Sequence, residues 1–202
     1  PMAGGSLCTL GVVAPGGTVT FSVRVRLTTA GSPGFDQRRA ASLLGQDLDA
    51  LEEAMPASAG PPVLSWGDAR IGNIIYRDFR PVAVLDWEMA GFGPRELDLG
   101  WLIYLHRFFE DIARAAGLPG LPDFLRRDDV AARYEQASGV AARDLDYYTL
   151  YAALRQAIVM FRVQSRAIHF GQAEAPADPD DMIMHRATLE AMLAGTYRDG
   201  VA

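Results

Sequence analysis

The stretch WGDARIGNIIYRDFRPVAVLDWE, residues Trp66 to Glu88, places an Asp, an Asn and a second Asp at positions 68, 73 and 86. Ile74-Ile75-Tyr76 and Val82-Ala83-Val84-Leu85 are short apolar runs rich in β-branched residues, and Arg77 to Pro81 between them is polar with one proline. That pattern predicts a β-hairpin. A turn centred between Phe79 and Arg80 sets Tyr76 opposite Ala83 and Asn73 opposite Asp86. Directly opposed residues have Cα atoms roughly 4.5–5.5 Å apart. An amide oxygen and a carboxylate so placed suit Mg²⁺, a hard cation that takes oxygen ligands and shares its shell with substrate phosphates. Asp68 lies in the Gly-containing loop before Asn73, near the metal and free to accept a proton.

Working outward, the 202-residue chain is half hydrophobic, 22% charged and carries a net charge of −6. That is ordinary globular composition, and without a basic stripe it argues against a nucleic-acid partner. All 19 basic residues are Arg, and no Lys is present. Cys8 is the single cysteine, which rules out an internal disulfide and makes a reducing cytoplasm the expected location. Leu7 to Ala14 is mildly apolar but lacks the basic segment of a signal peptide. No apolar run approaches the roughly 20 residues of a membrane span, so no membrane partner is expected. The chain begins at Pro1, as a fragment or after loss of an initiator Met.

Residues 1–35 form an unassigned leader or edge strand, with Thr18 to Leu27 alternating as one strand. Residues 35–55 read as a helix with Leu43, Leu44, Leu48 and Leu51 on one side. Residues 56–62 are a loop and 64–90 hold the catalytic loop and metal site. A helical subdomain over 95–196 follows. Its segments are Leu97 to Ala116, ended by GLPGLP, then Asp128 to Ala137, Asp144 to Phe170 and Met182 to Ala194. Tyr147, Tyr151, Leu154, Ile158 and Phe161 mark the expected core-facing stripe of the longest helix. The predicted class is α+β, mostly helical, with one small catalytic hairpin.

WGDARIGN followed by AVLDWE resembles the catalytic signature of aminoglycoside phosphotransferase-like kinases, relatives of the protein kinases and choline kinases. An Asp with an Asn five positions later matches the kinase catalytic loop, and Asp86-Trp87-Glu88 occupies the place of the second metal-binding Asp. The subgroup it looks most like is that of the phosphotransferase domains associated with acyl-CoA dehydrogenases. The similarity continues through GPRELDLGWLI and, more weakly, to about residue 195.

The resemblance implies a kinase-like C-lobe over residues 36–202, ATP (or GTP) and Mg²⁺ as cofactors, and transfer of the γ-phosphoryl to a hydroxyl of a small metabolite such as a hydroxyacyl thioester. It implies that Asp68 orients the acceptor hydroxyl and takes its proton, and that Asn73 and Asp86 hold Mg²⁺ on the nucleotide phosphates. Arg70 sits where relatives carry a cation or His near the transferred phosphoryl. Asp98 is expected to brace the catalytic loop through its backbone. Trp66 replaces the His found two residues before the Asp in the widespread form, and is expected to forgo that residue's polar contacts.

A complete N-lobe is not legible. The kinase N-lobe needs a Gly-rich loop and a strand Lys; here only Gly16-Gly17 and Arg24 or Arg26 are available. The alternative is therefore a truncated or pseudo-kinase C-lobe acting as a binding module, self-associating through the face an N-lobe would cover. At single residues the bland readings are a surface ion pair for Arg70, a salt bridge for Glu88, and packing for Trp66, Trp87 and Trp101.

Overall fold

The computed structural model describes the backbone of residues 7–14 and 17–24 and, with side chains, residues 51, 53–57 and 60–197. The chain divides into two units, Pro1–Phe35 and Asp36–Ala202. In the first, β1 (Leu7–Ala14) and β2 (Gly17–Arg24) pair antiparallel, from Leu7 opposite Arg24 to Ala14 opposite Gly17. The expected strand over 18–27 is thus one arm of a hairpin as far as Arg24. Its last residues, Gly16, and most of the helix expected over 35–55 lie outside the described residues.

In the second unit, β3 (Val63–Ser65) pairs antiparallel with β6 (Gly91–Gly93), Ser65 opposite Gly91. Between them lie a 3-10 turn at Ile71–Asn73 and the hairpin of β4 (Ile74–Arg77) and β5 (Arg80–Val84). The β3–β6 pair therefore clasps the start of the Asp68 loop against the chain that leaves Asp86.

The hairpin forms where expected, but in a different register. Ile75 pairs with Ala83, Tyr76 with Pro81 and Arg77 with Arg80, with an irregularity between Ile75 and Tyr76. The turn is Asp78-Phe79, at φ 49° and 60°. Two central residues with positive φ match the twist of a two-residue hairpin, and this preference overrides the pull of proline toward the turn. Pro81 sits instead beside the irregularity, where a missing N–H is tolerated.

After residue 60 the helices among the described residues are α1 (Glu96–Ala115), α2 (Arg127–Ser138), α3 (Leu145–His169) and α4 (Arg186–Leu193). The first three lie within a residue or two of expectation because their stop signals are strong. At the end of α1, for example, Gly117 N–H bonds Arg114 O and Leu118 N–H bonds Ala113 O, closing a Schellman motif ahead of Pro119. The last helix begins later than expected, because Pro179–Met182 forms a separate 3-10 turn.

The main core joins Trp101, Tyr104, Leu105 and Phe108 of α1 to Ala152, Ala153, Leu154 and Ala157 of α3, with Leu51, Ile183 and Leu189. The buried stripe of α3 is thus centred on alanines, and Tyr147, Tyr151, Ile158 and Phe161 pack only part-buried at its margins. Close approach of the two helices explains the offset: a Cβ on Gly100 would stand 2.6 Å from Tyr148 O, so small residues must line the contact.

Candidate active site

The loop that carries Asp68 is held from beneath by α1. Asp98, in the first turn, accepts hydrogen bonds from Ser65 Oγ at 2.9 Å, Trp66 N–H at 2.7 Å and Gly67 N–H at 2.8 Å. Gly67 turns the chain at φ 89°, where a Cβ would meet Met89 O at 2.2 Å.

Asp68 itself is 15% exposed in its side chain, and both its carboxylate oxygens accept hydrogen bonds. Its Oδ1 accepts from Trp101 Nε1 at 2.8 Å. Its Oδ2 accepts from Arg70 Nε at 3.0 Å and Asn73 Nδ2 at 2.7 Å. Burial alone raises a carboxyl here, but the bonds from Trp101, Arg70 and Asn73 and the Arg70 charge outweigh it, holding Asp68 below its ordinary value of 3.8. A carboxyl held low in this way is ionised at neutral pH and is a weak base.

Asn73 is buried at the end of the 3-10 turn. Its amide nitrogen bonds Asp68 Oδ2 and, at 3.2 Å, Asp68 O. With the amide nitrogen so engaged, the group left over is Oδ1, an oxygen acceptor. Asp86 is not its cross-strand partner. Leu85 N–H bonds Asn73 O at 2.8 Å, and Asp86 follows with φ 62°, leaving the strand direction at the hairpin's base. Its carboxylate is exposed. Among the described residues no three His, Cys, Asp or Glu side chains gather into a metal cage. An amide oxygen and a carboxylate are the donor set of an ion that takes its other ligands from phosphates and water, and in that respect the residues fit Mg²⁺.

The Trp66 side chain makes its polar contacts outside its own loop. Its indole N–H reaches Leu85 O at 2.8 Å and Asp86 O at 3.2 Å, tying the Asp68 loop to the Asp86 strand end. Trp87 lies against it, ring centroids 6.0 Å apart, and stays about half exposed. Arg70 holds a carboxylate, as the bland reading had it, and that carboxylate is Asp68.

Two residues of the site escaped the sequence reading. Trp101, expected only as core, is buried and also donates to Asp68. Arg155 of α3 donates to Gly67 O at 2.9 Å and lies over the Trp101 ring, 4.2 Å from its centroid. The spacing of Asp98 and Trp101, three apart on one helix face, held a signal for the first; nothing local marks Arg155.

A braced Asp loop, an Asn turn and a second Asp at a hairpin base, carried on a helical subdomain, define a kinase-like α+β protein. The chain belongs to the phosphotransferase enzyme family APH, whose family model matches residues 26–144. A solved structure from Ralstonia eutropha JMP134, provisionally designated an aminoglycoside phosphotransferase, is similar in fold at 21% identity and a TM-score of 0.51. The match covers 84% of this chain and 57% of that one, so the chain spans little more than half the length of this neighbour.

Proposed function

We propose that this chain carries the acceptor-activating and metal-holding part of an ATP- and Mg²⁺-dependent small-molecule O-phosphotransferase. The observation that carries the reading is Asp68, its carboxylate fixed by hydrogen bonds from Trp101, Arg70 and Asn73 beside the turn that carries the Asn73 amide. In the transfer, the acceptor oxygen bonds the γ-phosphorus, the bond from that phosphorus to the bridging oxygen of the leaving diphosphate breaks, and the hydroxyl proton passes to Asp68. Asn73 and Asp86 would hold Mg²⁺, which supplies charge neutralisation on the phosphates. Arg70 keeps a fixed positive charge at the loop, suited to phosphoryl oxygens. The subgroup resemblance makes a hydroxyacyl thioester the first acceptor to try, and residues after 97 the region to carry it.

The test is phosphoryl transfer from MgATP or MgGTP to a panel of hydroxylated metabolites, thioesters included, with Asp68→Ala as the control. A positioned base contributes about 10²–10⁴-fold, so turnover should fall by that factor. Near wild-type turnover in Asp68→Ala rejects the reading.

Composition favours a second reading. A chain without Lys cannot itself supply the phosphate-pairing lysine of a kinase N-lobe. On this reading the chain is a pseudo-kinase or a half-site completed by another chain. Nucleotide at 100 times its Kd should stabilise the protein by about 2.7 kcal/mol. No thermal shift with millimolar MgATP, together with no transfer, favours this second reading.

A further inference from the structure

We propose that Trp101 and Arg155 are positioning residues that present one particular oxygen of Asp68, Oδ1, to the acceptor hydroxyl. The proposal rests on the phosphotransferase reading above and deepens it.

A carboxylate has about four lone-pair positions, two on each oxygen. Arg70 Nε and Asn73 Nδ2 take both on Oδ2. Trp101 Nε1 takes one on Oδ1. Among the described residues, the second position on Oδ1 is the one left for a hydroxyl. The indole N–H therefore sets the direction in which that position points.

The indole is well placed to do this. Trp101 is 4% exposed, within the α1–α3 core, and its ring lies 6.3 Å from that of Tyr104. The Arg155 guanidinium also covers the ring, 4.2 Å from its centroid. The same guanidinium bonds the carbonyl of Gly67, the residue before Asp68. One cation thus fixes both the backbone that leads into Asp68 and the ring that holds its side chain. A cation over an indole also draws on the ring's electrons, which strengthens the N–H as a donor. Simple core filling would be met as well by Phe, which has no N–H to give; that difference makes the two roles separable.

The experiment uses the full chain, with MgATP as the probe and water as the acceptor. Trp101→Phe keeps the apolar body and removes the donor. Misplacing a catalytic group by an ångström costs up to about 10²-fold, so kcat should fall about 10- to 100-fold while KM for MgATP stays within about twofold. Arg155→Met should lower kcat in the same direction, with Arg155→Lys retaining more activity. A second arm needs no turnover. The chain has three Trp, so ¹⁵N-labelled protein gives three indole signals. Asp68→Asn should move the Trp101 indole proton upfield and leave Trp66 and Trp87 in place.

Unchanged kcat in Trp101→Phe, or a fall matched by rising KM and a lowered melting temperature, overturns the positioning role. An indole signal indifferent to Asp68→Asn overturns it too. A wild-type chain that transfers to no acceptor of the panel and shows no thermal shift with MgATP, yet gives a responsive indole signal, counts against the phosphotransferase reading and keeps the Trp101 contact. A wild-type chain with turnover that Trp101→Phe retains does the reverse.

Discussion

At the scale of single residues, the site depends on a backbone that only one side chain allows. Gly67 combines φ 89° with a Met89 carbonyl 2.2 Å from where a Cβ would stand. Gly67→Ala should lose about 1–2 kcal/mol from the left-handed backbone alone, with the clash adding to it. Urea unfolding reads this as a lower midpoint at constant m. A midpoint within error of wild type would show that the loop relaxes without strain. The short spacing of Asp68, Asn73 and Asp86 drew attention to them, and the structure joins Asp68 to Asn73 by a hydrogen bond and sets Asp86 at the hairpin base. The partners of Asp68 were legible only in part. Arg70 and Asn73 are neighbours in the chain, Trp101 lay hidden in an apolar stripe, and Arg155 arrives from 88 residues after Gly67. Burial gives Trp101 the same sequence signature whether or not its N–H has work to do.

At the scale of elements, α1 is the brace and α3 the buttress. Asp98→Ala takes the acceptor from three donors at once, and hydrogen bonds to a charged group are worth about 1.5–3 kcal/mol each, less than additively when they share one carboxylate. The amides of Trp66 and Gly67 should lose most of their hydrogen-exchange protection, while those in the middle of α3 change only as far as global stability does. Equal protection in mutant and wild type would remove Asp98 from the brace.

The junction of α3 and α4 makes a pH-dependent contribution. His185 is 5% exposed, its Nε2 bonds Ala153 O at 2.8 Å, and the Tyr104 and Phe108 rings face it. Burial lowers its affinity for a proton below the ordinary value of 6.5, against a smaller opposing pull from the Ala153 carbonyl. Below that value the unfolded chain binds more protons than the folded one, so stability rises with pH there. The contribution is complete above 6.5 and is lost as pH falls through the folded value. The melting temperature should drop between pH 7.5 and 5.5, and His185→Gln should flatten the drop. An equal drop in both proteins would assign the slope to other groups. The hairpin shows why element boundaries were legible and register was not: apolar runs locate strands, whereas twist preference at Asp78-Phe79 decides which residues pair.

At the scale of the molecule, the ribbon of β4 and β5 is out of keeping with its own sequence. IIY and VAVL read as strands covered on both faces, since a one-sided strand alternates apolar with polar. Yet Ile75, Tyr76, Val82, Val84, Leu85 and Trp87 are each at least 39% exposed, and Phe79 at the tip is fully exposed. A two-stranded ribbon is marginal by itself, and so many exposed apolar side chains on one ribbon suit a contact surface. Self-association of the chain through this ribbon is the contact to test. The expected result is association that grows with protein concentration in sedimentation equilibrium. Ile75→Glu with Val82→Glu should shift the population toward monomer, because charges placed on an apolar contact surface must be desolvated and repel their copies. A wild-type chain that stays monomeric at every concentration would reject association through the ribbon. A double mutant that associates as strongly as wild type would move the contact to another face.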